Sequence, residues 1–216
     1  MKFRLVLAAL LAAAALRAAP LERDLGQGLA YVRVHAVPAD LPAPEAKSGP
    51  TVIDLRYVAA PPADSLAALQ AWLRFHASPA TPVFVLFNAQ TGANIRAALA
   101  RLSRAPGFLS IGPDLPDHPA DSTIDTTPET ERQAYDALEL GAAPETLIAE
   151  NAGKPRQDEA ALAQNHDAAA EVTGDEAGDA DPEAAKPAAP PVDSALQRAV
   201  HLHRALVALH RLPARG

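Results

Sequence analysis

Six consecutive residues, Pro82-Val-Phe-Val-Leu-Phe87, carry no polar side chain. A strand with one face in water alternates polar and apolar residues. An unbroken apolar run of this length instead predicts a strand covered on both faces, as in a parallel sheet wrapped by helices. The flanking sequence agrees. Thr51-Val-Ile-Asp-Leu-Arg-Tyr-Val58 is β-branched and mostly apolar, and Phe108-Leu-Ser-Ile-Gly112 has the same character. Gly28-Leu-Ala-Tyr-Val-Arg-Val34 alternates weakly and reads as a further strand.

Helical signals fill the gaps between these strands. Pro61-Pro-Ala-Asp64 opens a helix, with Asp64 as the expected N-cap. Leu66, Leu69 and Leu73 then line one stripe, with Ala68, Trp72 and Phe75 beside it. Ile95, Leu99 and Leu102 give the next helix its core stripe, and Pro106-Gly107 ends it. Strand, helix, strand, helix, strand in that order predicts crossover units. The fold class is α/β, a small mostly parallel sheet with flanking helices.

From Pro113 the composition changes. Residues 128–140 read as a helix, and residues 144–150 and 156–170 as polar helices. Residues 171–191 are acidic, rich in Gly, Ala and Pro, and nearly free of large apolar groups, which predicts disorder. Asp193 or Ser194 then caps a final helix to about residue 212. Ala195, Ala199, Leu202, Leu206 and Leu209 recur in it at spacings of four and three, a short heptad-like seam. The expected organisation is a leader over 1–19, an α/β core over 20–141, a polar helical extension over 142–170, a linker over 171–192 and a C-terminal amphipathic helix over 193–216.

The leader rests on Lys2 and Arg4, an apolar run over residues 5–16, and the small residues Ala18 and Ala19. That run falls short of the roughly 20 apolar residues that span a bilayer. It reads as a cleaved signal peptide, with the mature protein periplasmic or secreted in a bacterium and without a membrane span. The chain has no cysteine, so disulfides are excluded and an exported form relies on its core alone. Charge is unevenly spread. Of 26 acidic side chains, most fall between Asp114 and Asp193, whereas residues 194–216 hold only arginines and no acid. An acidic middle argues against nucleic-acid binding, which depends on neutralising phosphates. The arginine-rich end suits an acidic surface or a second copy.

Four segments in order resemble the S41 (C-terminal-processing) peptidase core of the crotonase-like type. Residues 28–34 resemble its GxGYIRI strand, and Val52-Ile-Asp-Leu-Arg56 its LVLDLR strand. Residues 83–99 resemble PLVVLVNxxTASASEIxAxAL, with Asn88, Thr91 and Ile95 at matching positions. Residues 108–113 resemble the strand that follows, and residues 122–138 its closing PDIxVTPE strand and short helix. The resemblance spans about residues 28–140 and implies a crotonase-like core. Its chemistry does not carry over. Ala93 stands where the family's nucleophilic serine would be, and a methyl group attacks nothing. No lysine lies between Lys47 and Lys154 to serve as the family's general base. Tyr57-Val-Ala-Ala-Pro61 replaces the glycines that present an oxyanion-hole N–H. Loss of three independent elements implies a non-catalytic core that binds or scaffolds.

Asn88, Thr91 and His118 remain as candidates for a relocated hydrolytic site. Thr91-Gly92 at a helix N-terminus is an anion seat or, more commonly, an ordinary cap. Asp54 and Arg56 read as a structural pair, and Arg96, Arg101 and Arg104 as a solvated helix face. Asp114, Asp117, His118 and Asp121 have metal-ligand chemistry but no rigid ligand spacing, so neither metal nor cofactor is expected. On the final helix, His201, His203 and His210 lack the spacing that joins two imidazoles on one metal. Leu202, Leu206 and Leu209, with Arg198 and Arg204, form the candidate interaction surface for a protein or peptide partner, for self-association, or for the chain's own core. Mass spectrometry of protein recovered from a bacterial envelope fraction should find a mature N-terminus between Ala15 and Pro20. Intact Met1 would contradict that.

Overall fold

The computed structural model describes residues 21–43, 49–148 and 191–212. Six strands form one sheet in sequential order. They are β1 (Leu21–Asp24), β2 (Ala30–Arg33), β3 (Thr51–Asp54), β4 (Val83–Leu86), β5 (Phe108–Gly112) and β6 (Ser122–Thr123). β1 pairs antiparallel with β2, and every later pair is parallel. The expected α/β class is what the chain adopts. The short antiparallel edge strand β1 was not anticipated.

Helices α1 (Ala63–His76) and α2 (Ala93–Leu102) link β3 to β4 and β4 to β5. Successive crossovers of one hand along a sequential sheet put both helices on one face. Leu69, Trp72, Leu73, Ile95, Leu99 and Leu102 accordingly pack on Ile53, Val83, Val85 and Phe87. The alternate residues Tyr31, Val52, Phe84, Leu86 and Ile111 point the other way. There they meet α3 (Pro128–Glu139), α4 (Pro144–Leu147) and α5 (Ser194–Ala208), through Leu138, Leu147, Leu196, Ala199 and Val200. The period of two along β4 thus feeds two cores, and all four of its residues are buried.

Several local expectations change. Asp64 does not cap α1; it lies in the first turn, and Pro62 holds the cap position without a side-chain bond. Asp193 caps α5, its Oδ1 accepting from Leu196 N at 3.0 Å, and the helix stops at Ala208, short of residue 212. Its buried stripe is Leu196, Ala199, Val200 and His203, with Ala195 beside it, rotated from the seam read in the sequence. Leu202 and Leu206 are partly buried against the same core, whereas Leu209 is 69% exposed. The helix is therefore a layer of the fold, packed on the chain's own core, one of the partners expected for it. Of the helical extension, residues 142–148 fall within the described residues, with Pro144–Leu147 as their helical part. The leader, residues 156–170 and the linker over 171–190 lie outside them. At the return point, Asp193 N donates to Leu147 O at 2.9 Å.

Phe84→Asp buries an unpaired charge between the two faces and should cost several kcal/mol, on the order of the penalty for an uncompensated buried group. Urea denaturation with far-UV circular dichroism measures it. A wild-type midpoint would contradict the central placement of β4.

Candidate functional site

β3 ends on a charge that the core must neutralise. Asp54 and Arg56 are fully buried. Arg56 Nη2 donates to Asp54 Oδ2 at 2.7 Å and Nε to Asp54 Oδ1 at 3.0 Å. On its other edge, Nη1 and Nη2 donate to Asp193 Oδ1 and Oδ2 at 3.0 and 2.8 Å. One guanidinium therefore bridges β3 to the N-cap of α5. Tyr31 Oη donates to Asp54 Oδ2 at 2.7 Å, and Arg33 Nε donates to Tyr31 Oη at 3.1 Å. Arg33 also donates to Glu139 Oε2 and to Tyr135 O, with its guanidinium 3.7 Å over the Tyr135 ring. Burial pushes the Asp54 carboxyl up, but the Arg56 guanidinium beside it prevails and holds it below its ordinary value. Burial also drives the Tyr135 phenol up to about 12, with the Asp54 charge adding to it.

Beside this network, at the carboxyl ends of β3, β4 and β5, lies a crevice of about 420 Å³. Open parallel sheets present ligand sites at that edge. Tyr57, Asn88, Gln90, Leu115, Glu131 and Arg132 contribute to its walls. Tyr57 sits at φ 65°, a left-handed conformation rare for an aromatic residue. Its ring rests edge-on at 4.7 Å from Tyr135, with the Arg132 guanidinium 4.8 Å from its centroid. Glu131 is buried. Asn88 Nδ2 donates to its Oε2 at 3.1 Å, while Oε1 has no hydrogen-bond partner among the described residues and lies 3.9 Å from Arg56 Nη1. Burial pushes the Glu131 carboxyl up, against the pull of Arg56 and Asn88, and the charges of Asp193 and Asp54 add to the rise.

The candidate catalytic residues do not assemble. Asn88 Oδ1 accepts from Gln90 N and Thr91 N at 3.0 and 3.1 Å, forming a side-chain-closed turn. Thr91 Oγ1 donates to Leu55 O at 3.1 Å and accepts from Asn88 N at 3.0 Å, so the hydroxyl is engaged on both sides. Thr91 does not cap α2 either; Gly92 is the cap residue, without a side-chain bond. Gly92 N donates to Val58 O at 2.8 Å. A Cβ at Gly92 would lie 2.5 Å from Ala60 N, so residues 59–60 press directly on the start of α2. The anion seat is filled by the chain's own backbone. Ala93 is the first residue of α2 and is exposed.

His118 is fully buried, and neither ring nitrogen has a hydrogen-bond partner among the described residues. Its ring lies 4.6 Å from that of Phe87, and burial lowers its affinity for a proton. Asp117 pairs instead with Arg96, at 2.7 and 2.9 Å. Asp121 Oδ2 accepts from Ser110 N and Ser110 Oγ, and its Oδ1 from Ser103 Oγ. Asp117 and Asp121 thus serve separate structural bonds, and among the described residues no group of three ligand side chains could hold a metal. Arg96 is not part of a solvated face: it also donates to Ala89 O and Thr91 O, bracing the 88–91 turn. On α5, Arg198 is exposed and Arg204 half-buried.

No protein-family model matches the chain, and no curated protein matches its sequence.

Glu131 was missed by sequence reasoning, although a signal was present. Glu131, Ala134, Tyr135 and Leu138 follow the i, i+3, i+4, i+7 spacing of a buried helix stripe, and all four are buried. A carboxylate at one end of such a stripe marks a polar group carried into the interior. His76 occupies the equivalent end position after Leu69, Trp72 and Leu73, and His203 after Leu196, Ala199 and Val200.

Arg56→Met leaves two buried carboxylates without their cation and should cost about 3–5 kcal/mol. Adding Asp54→Asn and Asp193→Asn should recover much of that loss in urea denaturation. Glu131 behaves oppositely with pH. A raised carboxyl pKa means the folded state prefers the proton, so ionisation weakens folding as pH rises through the folded value. Glu131→Gln should therefore stabilise the protein at pH 8, the gain vanishing below the ordinary glutamate value of about 4.3. A pH-independent difference would contradict the assignment.

Proposed function

We propose that this chain is an exported, non-catalytic binding module with an S41-like core, and that its ligand sits in the crevice at the carboxyl ends of β3, β4 and β5. The observation that carries the reading is that the crevice persists while the groups able to do covalent chemistry beside it are engaged elsewhere. Thr91 Oγ1 is fixed between Leu55 O and Asn88 N. The S41 nucleophile position is Ala93, and the backbone of residues 58–60 lies directly against Gly92 beside it. What remains facing the crevice is suited to recognition: the apolar Leu115, Pro113 and Pro128, the amide of Gln90, the Arg132 guanidinium and the Glu131 carboxyl. That mixture of apolar wall and separated hydrogen-bonding groups fits a short extended peptide. Export is supported by the basic start and the short apolar run of residues 5–16.

The test uses the mature protein, a mixture of unstructured tri- to hexapeptides, and side-chain amide NMR signals. Binding should shift the Asn88 and Gln90 amide signals saturably, and Arg132→Ala or Gln90→Ala should weaken it several-fold, the scale of about 1 kcal/mol for one lost hydrogen bond. Neither casein nor the bound peptides should be cleaved, and fluorophosphonate probes should not label the protein. Turnover that survives rigorous purification and disappears in Thr91→Ala would replace this reading with a threonine-based hydrolase.

A further inference from the structure

A second cavity lies on the opposite side of the sheet from α5, between the C-terminal half of α1 and the 38–43 loop. It encloses about 570 Å³. Pro38, Leu41, Pro42, Trp72, Phe75 and His76 form most of its wall, completed by alanines, with no Asp, Glu, Lys or Arg among the lining residues. Trp72 Nε1 donates to Pro42 O at 2.9 Å, which fixes the loop against the helix and keeps the cavity's two walls in register. The Trp72 and His76 rings stack at 4.0 Å, and Phe75 lies edge-on to His76 at 5.0 Å. Phe75 is 69% exposed, an unusual position for a large apolar ring with such neighbours.

The cavity has one polar handle. His76 is 8% exposed. Its Nδ1 lies 2.9 Å from Trp72 O, and a carbonyl only accepts, so Nδ1 carries the hydrogen in that bond. In the singly protonated ring Nε2 is then a bare acceptor, and it is buried with no hydrogen-bond partner among the described residues. A buried acceptor left unmade is costly. A bound donor would relieve that cost.

We propose that this cavity binds a small, uncharged, planar apolar molecule carrying one hydroxyl or N–H donor, which stacks beside Trp72 and Phe75 and donates to His76 Nε2. The absence of charged lining residues selects against an ionic ligand. The volume falls within the roughly 300–1,000 Å³ of small-molecule sites, whereas a stable protein partner needs about 800 Å² of surface on each side. The site is separate from the crevice beside Glu131 and stands or falls independently of it.

Trp72 is the chain's single tryptophan, so one indole N–H signal reports on this cavity. The probes are 1-naphthol, which carries the donor, and naphthalene, which lacks it. The full mature chain should show a saturable shift of the indole signal with 1-naphthol. His76→Phe keeps an aromatic ring but removes the acceptor; it should weaken 1-naphthol about tenfold, the factor that 1.4 kcal/mol carries, and leave naphthalene unchanged. Ala71→Arg, at an exposed position lining the cavity, should abolish binding of both probes without lowering the melting temperature. An indole signal that does not saturate, or an equal loss of both probes in His76→Phe, overturns the proposal. A dimer in light scattering that Phe75→Asp converts to monomer would overturn it in favour of an interface between copies.

Discussion

The Arg56 guanidinium, fully buried between Asp54 and Asp193, is the interaction on which the rest of the arrangement depends. Moving such a cation out of water is costly, and the cost is met only when several acceptors converge on it with good geometry. Here they come from the end of β3 and from the cap of α5, residues far apart in the chain. The helix cannot slide or rotate on the sheet without uncovering a charge. A purely apolar interface between α5 and the sheet would tolerate several registers; this one specifies a single one. Because Glu131 lies near the same guanidinium, the crevice at the sheet edge inherits that fixed geometry.

Hydrophobic periodicity made much of the fold legible. The apolar run at residues 82–87 and the stripes Leu69/Leu73 and Ile95/Leu99/Leu102 gave β4, α1 and α2 nearly in place. Asp54 and Arg56 were readable as a pair because they stand two residues apart, Asp54 at the end of β3 and Arg56 just beyond it. Asp193, their third member, was read only as a helix cap. No local pattern tells which carboxylate will return from residues away to meet a buried arginine. β1 escaped because Leu21-Glu-Arg-Asp24 is polar and short, and its strand character comes from pairing with β2 rather than from propensity. The seam read in α5 holds at Ala195 and Ala199 and in part at Leu202 and Leu206, but it misses Leu196, Val200 and His203, the last not counted as a core residue.

That last error explains why the candidate sites were read less well than the fold. Thr91 and Asn88 drew attention as reactive types in a turn, yet a turn uses such side chains to satisfy its own backbone, and here Asn88 Oδ1 and Thr91 Oγ1 both do so, leaving the Asn88 amide to Glu131. The informative polar groups were instead those occupying apolar positions: Glu131, His76 and His203. A helix that carries a titratable group at the end of its buried stripe has accepted a desolvation cost that packing alone does not require. Two of these three groups, Glu131 and His76, line cavities.

The hydrogen bond from Asp193 N to Leu147 O has a consequence for how this chain can vary. Leu147 and Asp193, far apart in the chain, meet at one spot, so the fold itself closes the loop of chain between them. Loop-closure entropy changes by only about 0.6 kcal/mol for each doubling of length. A change in the number of residues between Leu147 and Asp193 therefore costs little through loop closure alone, provided the two still meet.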